Sequence, residues 1–534
     1  MALRIFLILT LATLSACSTD STDSASADDV AHTPDGGADL PDRPDAVVND
    51  TDPPDTDASP SPDAAADTPP ASVCGDGVLD DDEDCEDGQP VGVACTDVGF
   101  HRGWVGCSEC HFDTSGCYAE TCGDGVVQDG EACDDGNLDD GDACARNCTD
   151  PAAFNRMDRE IAALMERYEI PGGVVAVTWQ GRLVFARGYG TADEHGALPT
   201  DEAARFRIAS LSKTVTSAAI HLLVERGELS TSDPVLPLVG PDELPEGLDP
   251  RWHDITIEHL LTHRGGFDPD DDPMFLNLDV ADALGIDGPA EARDQLRYAL
   301  GRPLDYTPGT RWVYSNLGFV LLGLVIESVT NTDYETWVRA ELLSPMGVHR
   351  LVAGKSRPKD RPGDETWYHV TSDRSPSPSV FPEDERAIVR HPDGGFYVEG
   401  MTAMGGWTAS APDLARFLVH MDGLDTVPDV LSSDTIAAMT ARPPDIGAWS
   451  DDVWYARGWY VQRLRDGGTL WSHQGVLSGT RAVMVREPNG LCWLGIFNLW
   501  PNGGDFSSDM VGALRNGARA PSSYPSHDLF GFYP

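Results

Sequence analysis

The stretch Phe206-Arg207-Ile208-Ala209-Ser210-Leu211-Ser212-Lys213 places a serine three residues ahead of a lysine, in a chain where only Lys213, Lys355 and Lys359 among 37 basic residues are not arginine. Arginine serves wherever a solvated positive charge suffices, but its guanidinium stays protonated and cannot take a proton from a hydroxyl. Lys213 therefore reads as a residue kept for chemistry. A buried ammonium can fall from its reference pKa of about 10.4 towards neutrality and act as a base. Downstream, Val215, Ala218, Ala219, Leu222 and Leu223 fit one face of a helix opened by Ser210 and stopped at Gly227. Three helical positions turn the chain by about 300°, so Ser210 and Lys213 share a face and Ser212 does not. Free amides and the positive dipole end at such a helix start favour a serine alkoxide. Spacing alone is weak, because Ser356-Arg357-Pro358-Lys359 repeats it within a charged, proline-bearing stretch that reads as a solvated loop.

Working outward, Met157, Ile161, Leu164, Met165 and Tyr168 recur at helical spacing, and strand formers at 174–179 and 183–187 flank the hairpin turn Gln180-Gly181-Arg182. Four more strand-like segments come late, at 458–464, 469–473, 480–486 and 491–497, while the middle is mostly helical, as at 317–329 and 334–343. These features predict an α+β domain over 151–520. Its antiparallel sheet is drawn from both ends, flanked by helices, with an inserted all-helical region. A short tail, 521–534, follows.

The N-terminal part differs in kind. Residues 1–16 hold one arginine and the apolar run Ile5 to Ala12, which read as a signal peptide. Leu14-Ser15-Ala16-Cys17 resembles a bacterial lipobox, which implies lipidation at Cys17 and an exported, surface or outer-membrane lipoprotein, touching membrane through that lipid only. Residues 17–73, with fourteen aspartates against one arginine, bury almost nothing and read as a disordered tether. Ten of the twelve cysteines fall in 74–150, where Cys74-Gly75-Asp76-Gly77-Val78 with Cys85 recurs as Cys122-Gly123-Asp124-Gly125-Val126 with Cys133. Even pairing in an exported chain predicts a disulfide scaffold rather than zinc at Cys107 and Cys110. The pattern resembles a cysteine-rich repeat of exported myxobacterial proteins, and its Asp-rich turns are a candidate calcium site although none completes an EF-hand loop. A net charge of −51 without a basic patch argues against nucleic acid.

Three ordered segments of the domain carry a resemblance: the Ser210-to-Lys213 stretch, then Pro308-Gly309-Thr310 leading into Tyr314-Ser315-Asn316-Leu317-Gly318, then His473-Gln474-Gly475. Together they resemble the serine β-lactamase and penicillin-binding-protein superfamily, closest to its class C-like branch of esterases, D-amino-acid peptidases and carboxypeptidases. Segments 255–263, 405–417 and 456–459 fit the same branch. The resemblance implies a serine hydrolase that cleaves an ester or amide through a covalent acyl-enzyme, with no cofactor and no metal. It implies that Ser210 attacks, Lys213 accepts its proton and Tyr314 relays that proton to the leaving group and later activates water. Asn316, His473, Gly475 and Val476 are the implied substrate-binding residues, the amides of Ser210 and Val476 forming the oxyanion hole.

His473 stands where relatives with β-lactamase or transpeptidase activity usually carry a lysine that binds a substrate carboxylate. A neutral imidazole shifts the expectation away from β-lactams and towards esters or other amides, with Arg481 a candidate replacement cation. The pair His259 and His263 lacks the glutamate of a zinc-protease helix and reads as structural. Cys492 reads as a buried free thiol, and Trp407, Trp459 and Trp471 as either an acyl pocket or core. The rival expectation is an inactive surface binding or adhesion lipoprotein that works through its cysteine-rich repeats.

Overall fold

The structure, a computed structural model, describes residues 153–533 apart from 242–243, 269–272, 274–275, 372–375, 445–450 and 502–504, together with scattered positions between 84 and 118. The signal peptide, Cys17, the tether and most of the cysteine-rich repeats, with their calcium candidates, lie outside the described residues. Within the repeats, Cys85 is buried and disulfide-bonded. Two short antiparallel pairs are also described there, Arg102–Gly103 with Cys117–Tyr118 and Gly106–Ser108 with His111–Asp113.

Helix α1 (Asn155–Tyr168) leads into the hairpin β1 (Gly172–Trp179) and β2 (Arg182–Gly190), whose turn at Gln180 and Gly181 takes positive φ at both positions as a tight hairpin requires. Late in the chain come β3 (Val453–Tyr455), β4 (Tyr460–Arg463), β5 (Thr469–Leu477), β6 (Thr480–Arg486) and β7 (Leu491–Phe497), then a helix, Phe506–Ala518. All seven strands form one antiparallel sheet in the order β3-β4-β5-β6-β7-β1-β2, so the two ends of the domain meet where Leu491 pairs with Trp179.

Alternation along the strands gives the sheet two buried faces. Val175, Val177, Val483, Val485 and Trp493 pack with Met157 and Ile161 of α1 and with Met510 and Leu514 of the last helix. Val174, Ala176, Ala482, Met484 and Leu494 pack on the other side with the inserted helices α2 (Ser212–Glu225) and α3 (Asn316–Thr330). Helix α3 is apolar nearly all round, as its burial from Leu317 to Ile326 demands.

Several expectations are corrected here. Ser210 does not open the α-helix: it sits in a 3-10 turn, Ala209–Leu211, and α2 begins at Ser212. The strand expected to end at His473 continues to Leu477, because it keeps pairing with β6 after its partner on the other side, β4, stops at Ser472. Residues 334–343 are α-helical only to Val338 and then π-helical. Trp407, Trp459 and Trp471 are core, with the Trp407 indole donating to the Tyr334 hydroxyl at 3.1 Å. Ser356 is fully buried rather than solvated, whereas Pro358 and Lys359 of that copy are exposed. Cys492, by contrast, is free and buried as expected, and the tail docks on β2 through Asp528 and His527, which bond Leu183 N and Val184 O. Among the described residues no helix is long and apolar enough to cross a membrane.

Candidate active site

Ser210 lies under the stretch of β5 that has lost its β4 neighbour. The close approach depends on Gly475: a Cβ there would sit 2.3 Å from Ile208 O and 3.1 Å from Ala209 Cβ. Glycine is therefore required by the backbone that carries the serine. Ala209, directly before Ser210, holds φ at 49°, a left-handed conformation unusual for a residue with a side chain. Thr480 Oγ1 donates to Arg207 O at 3.0 Å, and Ser212 Oγ donates to Ala209 O at 2.7 Å, so both flanks of the turn are pinned.

Lys213 is 0% exposed and its Nζ meets Ser210 Oγ at 3.2 Å, Asn316 Oδ1 at 2.8 Å and Met404 O at 2.7 Å. Each neighbour comes from a different element. Asn316 is the first residue of α3, whose start is fixed by the Ser315 hydroxyl accepting from Gly318 N. Met404 lies in a π-helical turn, Thr402–Gly406, tied to α2 by Trp407 N donating to Ser212 Oγ and by Thr216 Oγ1 donating to Ala403 O. Tyr314 precedes α3, its ring centroid 5.0 Å from Lys213 Nζ.

His473 is 1% exposed, with Nδ1 2.9 Å from Gln474 O. A carbonyl can only accept, so Nδ1 carries the hydrogen and Nε2 accepts from the Tyr455 hydroxyl at 3.2 Å. Burial, reinforced by the nearby Lys213 charge, pushes the His473 pKa down to about 3. Its imidazole is neutral at physiological pH. Burial likewise holds the Tyr455 phenol well above its usual value, with Tyr314 adding to the shift. Arg481 does not supply a cation to this site: it pairs opposite Val476 on the other face of the sheet and donates to Gln474 Oε1 at 2.8 Å and to Ser507 on the last helix.

Thus Ser210, Lys213, Tyr314, Asn316, His473 and Gly475 converge on one place. Sequence reasoning missed three partners. Met404 contributes a backbone oxygen, which leaves no mark in a sequence. Tyr455 lies on a three-residue strand, although it adjoins the segment 456–459 already singled out. His263, set aside as structural, packs its ring 4.3 Å from that of Tyr314 and 4.5 Å from that of Tyr455. Among the described residues no group of three or more His, Cys, Asp or Glu side chains gathers that could hold a metal ion.

A serine against a buried amine, in a turn beneath the open edge of a central antiparallel strand, is the arrangement expected of a β-lactamase/transpeptidase-like fold. The chain belongs to the Beta-lactamase family, whose profile matches residues 157–514. It is 32% identical over 219 residues to Esterase EstB of Burkholderia gladioli, an overlap covering 37% of this chain and 53% of the esterase. To Penicillin-binding protein 4* of Bacillus subtilis (strain 168) it is 24% identical over 332 residues, 60% of this chain and 66% of that protein. The chain thus spans half to two thirds of the length of these relatives. The D-amino acid amidase of Ochrobactrum anthropi SV3, solved with L-phenylalanine amide, shares the fold at a TM-score of 0.53 and 20% identity, covering 70% of this chain and 99% of that one. Members of this family are serine hydrolases, Esterase EstB among them.

Proposed function

We propose that the protein cleaves a small ester or amide through an acyl-enzyme on Ser210. The observation that carries this reading is the fully buried Lys213 amine, 3.2 Å from Ser210 Oγ and held by two carbonyl oxygens. A neutral amine has two hydrogens and one lone pair. Asn316 Oδ1 and Met404 O match the hydrogens, which leaves the lone pair for the serine's proton. Ser210 Oγ then bonds the substrate carbonyl carbon, the proton passes to Lys213, and Tyr314 delivers a proton to the departing alcohol or amine. Water, activated by Tyr314, hydrolyses the ester in the second half-reaction. The amides of Ser210 and Val476 would hold the carbonyl oxygen, an arrangement worth roughly 3 kcal/mol per donor in other acyl-transfer sites.

The substrate class follows from charge. With His473 neutral and Arg481 on the opposite face, the third motif offers hydrogen bonding but no cation. Uncharged acyl groups suit it better than substrates bearing a carboxylate beside the scissile bond. Esterase EstB and the D-amino acid amidase are relatives whose names agree with that choice. We further infer the arrangement of the whole chain: signal peptide 1–16, lipidated Cys17 and tether to 73, disulfide repeats 74–150 with candidate calcium sites, hydrolase 151–520 and tail 521–534. On this reading the tether holds the enzyme away from a bacterial membrane, on its outer side.

A panel of p-nitrophenyl esters, D-alanyl peptides and a chromogenic cephalosporin tests the substrate class. Turnover of neutral esters ahead of the other two is expected, and preferential cleavage of the carboxylate-ended peptides would overturn the charge reading.

A further inference from the structure

His259 lies in the short helix Ile257–Leu261 and His263 two residues beyond its end, and both face the loop that carries Tyr314. His259 Nε2 would lie 2.8 Å from a Cβ added to Gly309, so its ring packs directly on the Pro308-Gly309-Thr310 turn. Arg264 O accepts from Gly309 N at 2.9 Å. His263 acts further along the same loop and at two points: its backbone oxygen accepts from Val313 N at 2.9 Å, and its ring Nδ1 accepts from Ser315 N at 3.2 Å. Those are the residues on either side of Tyr314. To reach both, His263 adopts φ of 54°, a left-handed conformation that an isolated histidine rarely pays for. Its Nδ1 must be unprotonated to accept, so Nε2 carries the hydrogen. That hydrogen has no hydrogen-bond acceptor among the described residues and lies among the rings of Tyr314, Tyr455 and Phe319. An aliphatic side chain would fill the space but strand the buried Ser315 N–H, so the ring is kept for the acceptor it offers to the Tyr314 loop.

From this geometry we infer that His263 is a positioning residue for Tyr314, a neutral clamp that grips the backbone before and after the phenol and fixes where its hydroxyl stands relative to Lys213 and the leaving group. The groups facing its ring are Tyr314, Tyr455, Lys213 and His473. Burial and the last two hold its pKa well below the usual histidine value, so the clamp stays an acceptor throughout the working range. This inference rests on Tyr314 being the proton-transfer group.

The test compares His263→Asn, His263→Gly and His263→Leu in the full chain, alone and combined with Tyr314→Phe, using a neutral p-nitrophenyl ester. Asparagine tolerates positive φ and offers an amide oxygen near the position of Nδ1, glycine tolerates the φ without an acceptor, and leucine does neither. Expected are kcat losses of about tenfold or more for Gly and Leu with KM within about twofold, and recovery of most of that loss in Asn. Combined with Tyr314→Phe, the Gly variant should be no slower than Tyr314→Phe alone. If leucine does not fold, the Asn and Gly pair decides. Equal rates for Asn and Gly, or a full additional loss in the double variant, would overturn the clamp. Wild-type kcat in Tyr314→Phe would instead remove the role given to Tyr314.

Discussion

Two serine-lysine pairs with the same spacing meet opposite fates in this fold. At Ser210 the lysine is fully buried and its amine reaches the hydroxyl, whereas at Ser356 the serine is buried and the lysine, Lys359, is out in solvent. The Ser356 hydroxyl donates to Glu399, accepts from Val398 N at 2.8 Å, and is thereby spent on structure. Even its backbone serves the first pair, since Arg207 donates to Ser356 O, Lys355 O and Pro392 O and so braces the strand leading to Ser210. Reactivity comes from what surrounds the amine. One lysine is enclosed by elements brought together from across the domain, and the other ends in water, where an ammonium is cheap to keep.

The sharpest way to break this comparison is to remove each serine. Ser210→Ala should abolish ester turnover to the background rate. Ser356→Ala should retain turnover but lose about 1–3 kcal/mol of stability, because Val398 N and the Glu399 carboxylate lose a buried partner. Turnover assays and thermal or denaturant melts of both variants check this. Lysine-to-arginine changes come next: Lys213→Arg should cost on the order of 10²-fold or more in kcat, since a guanidinium cannot accept the proton, while Lys359→Arg should leave kcat within experimental error.

Much of this was legible beforehand. The strands 480–486 and 491–497 were readable to the residue because apolar runs were bounded by turn signals, and the ordered motifs around Ser210, Tyr314 and His473 marked the site. What could not be read was set by contacts distant in sequence. The 3-10 turn at Ala209–Leu211 exists because Ile208 and Ala209 press against Gly475, and β3, only three residues long, is a strand because β4 lies beside it. His263 looked structural because a histidine holding backbone amides has no distinguishing spacing.

A third prediction sharpens the role of that contact. Gly475→Ala forces a Cβ into the backbone oxygen of Ile208, so the turn holding Ser210 must move. We expect a loss of about 1–3 kcal/mol in stability and a disproportionate fall in kcat, measured by melting and by ester turnover. The smallest effect concerns pH. His473 has a folded pKa of about 3 against an ordinary value of about 6.5, so between those values the unfolded chain binds a proton that the folded chain refuses. Stability should therefore fall as pH drops through that window, by up to about 1.4 kcal/mol per pH unit for this group, and His473→Asn should flatten the slope. Melting curves between pH 7 and 4 read it directly. For the same reason the kcat/KM profile should show no inflection from His473 between pH 5 and 8.

The most direct test of the central claim is to locate the covalent bond. After reaction with a serine-directed phosphonate and trypsin, mass spectrometry of the peptide Ile208–Lys213 should show one added phosphonyl group, assigned by fragmentation to Ser210 and absent in Lys213→Arg over the same reaction time. An adduct on Ser212 or Ser356 instead, or equal labelling of the Lys213→Arg protein, would contradict the proposal that a buried amine makes this serine a nucleophile.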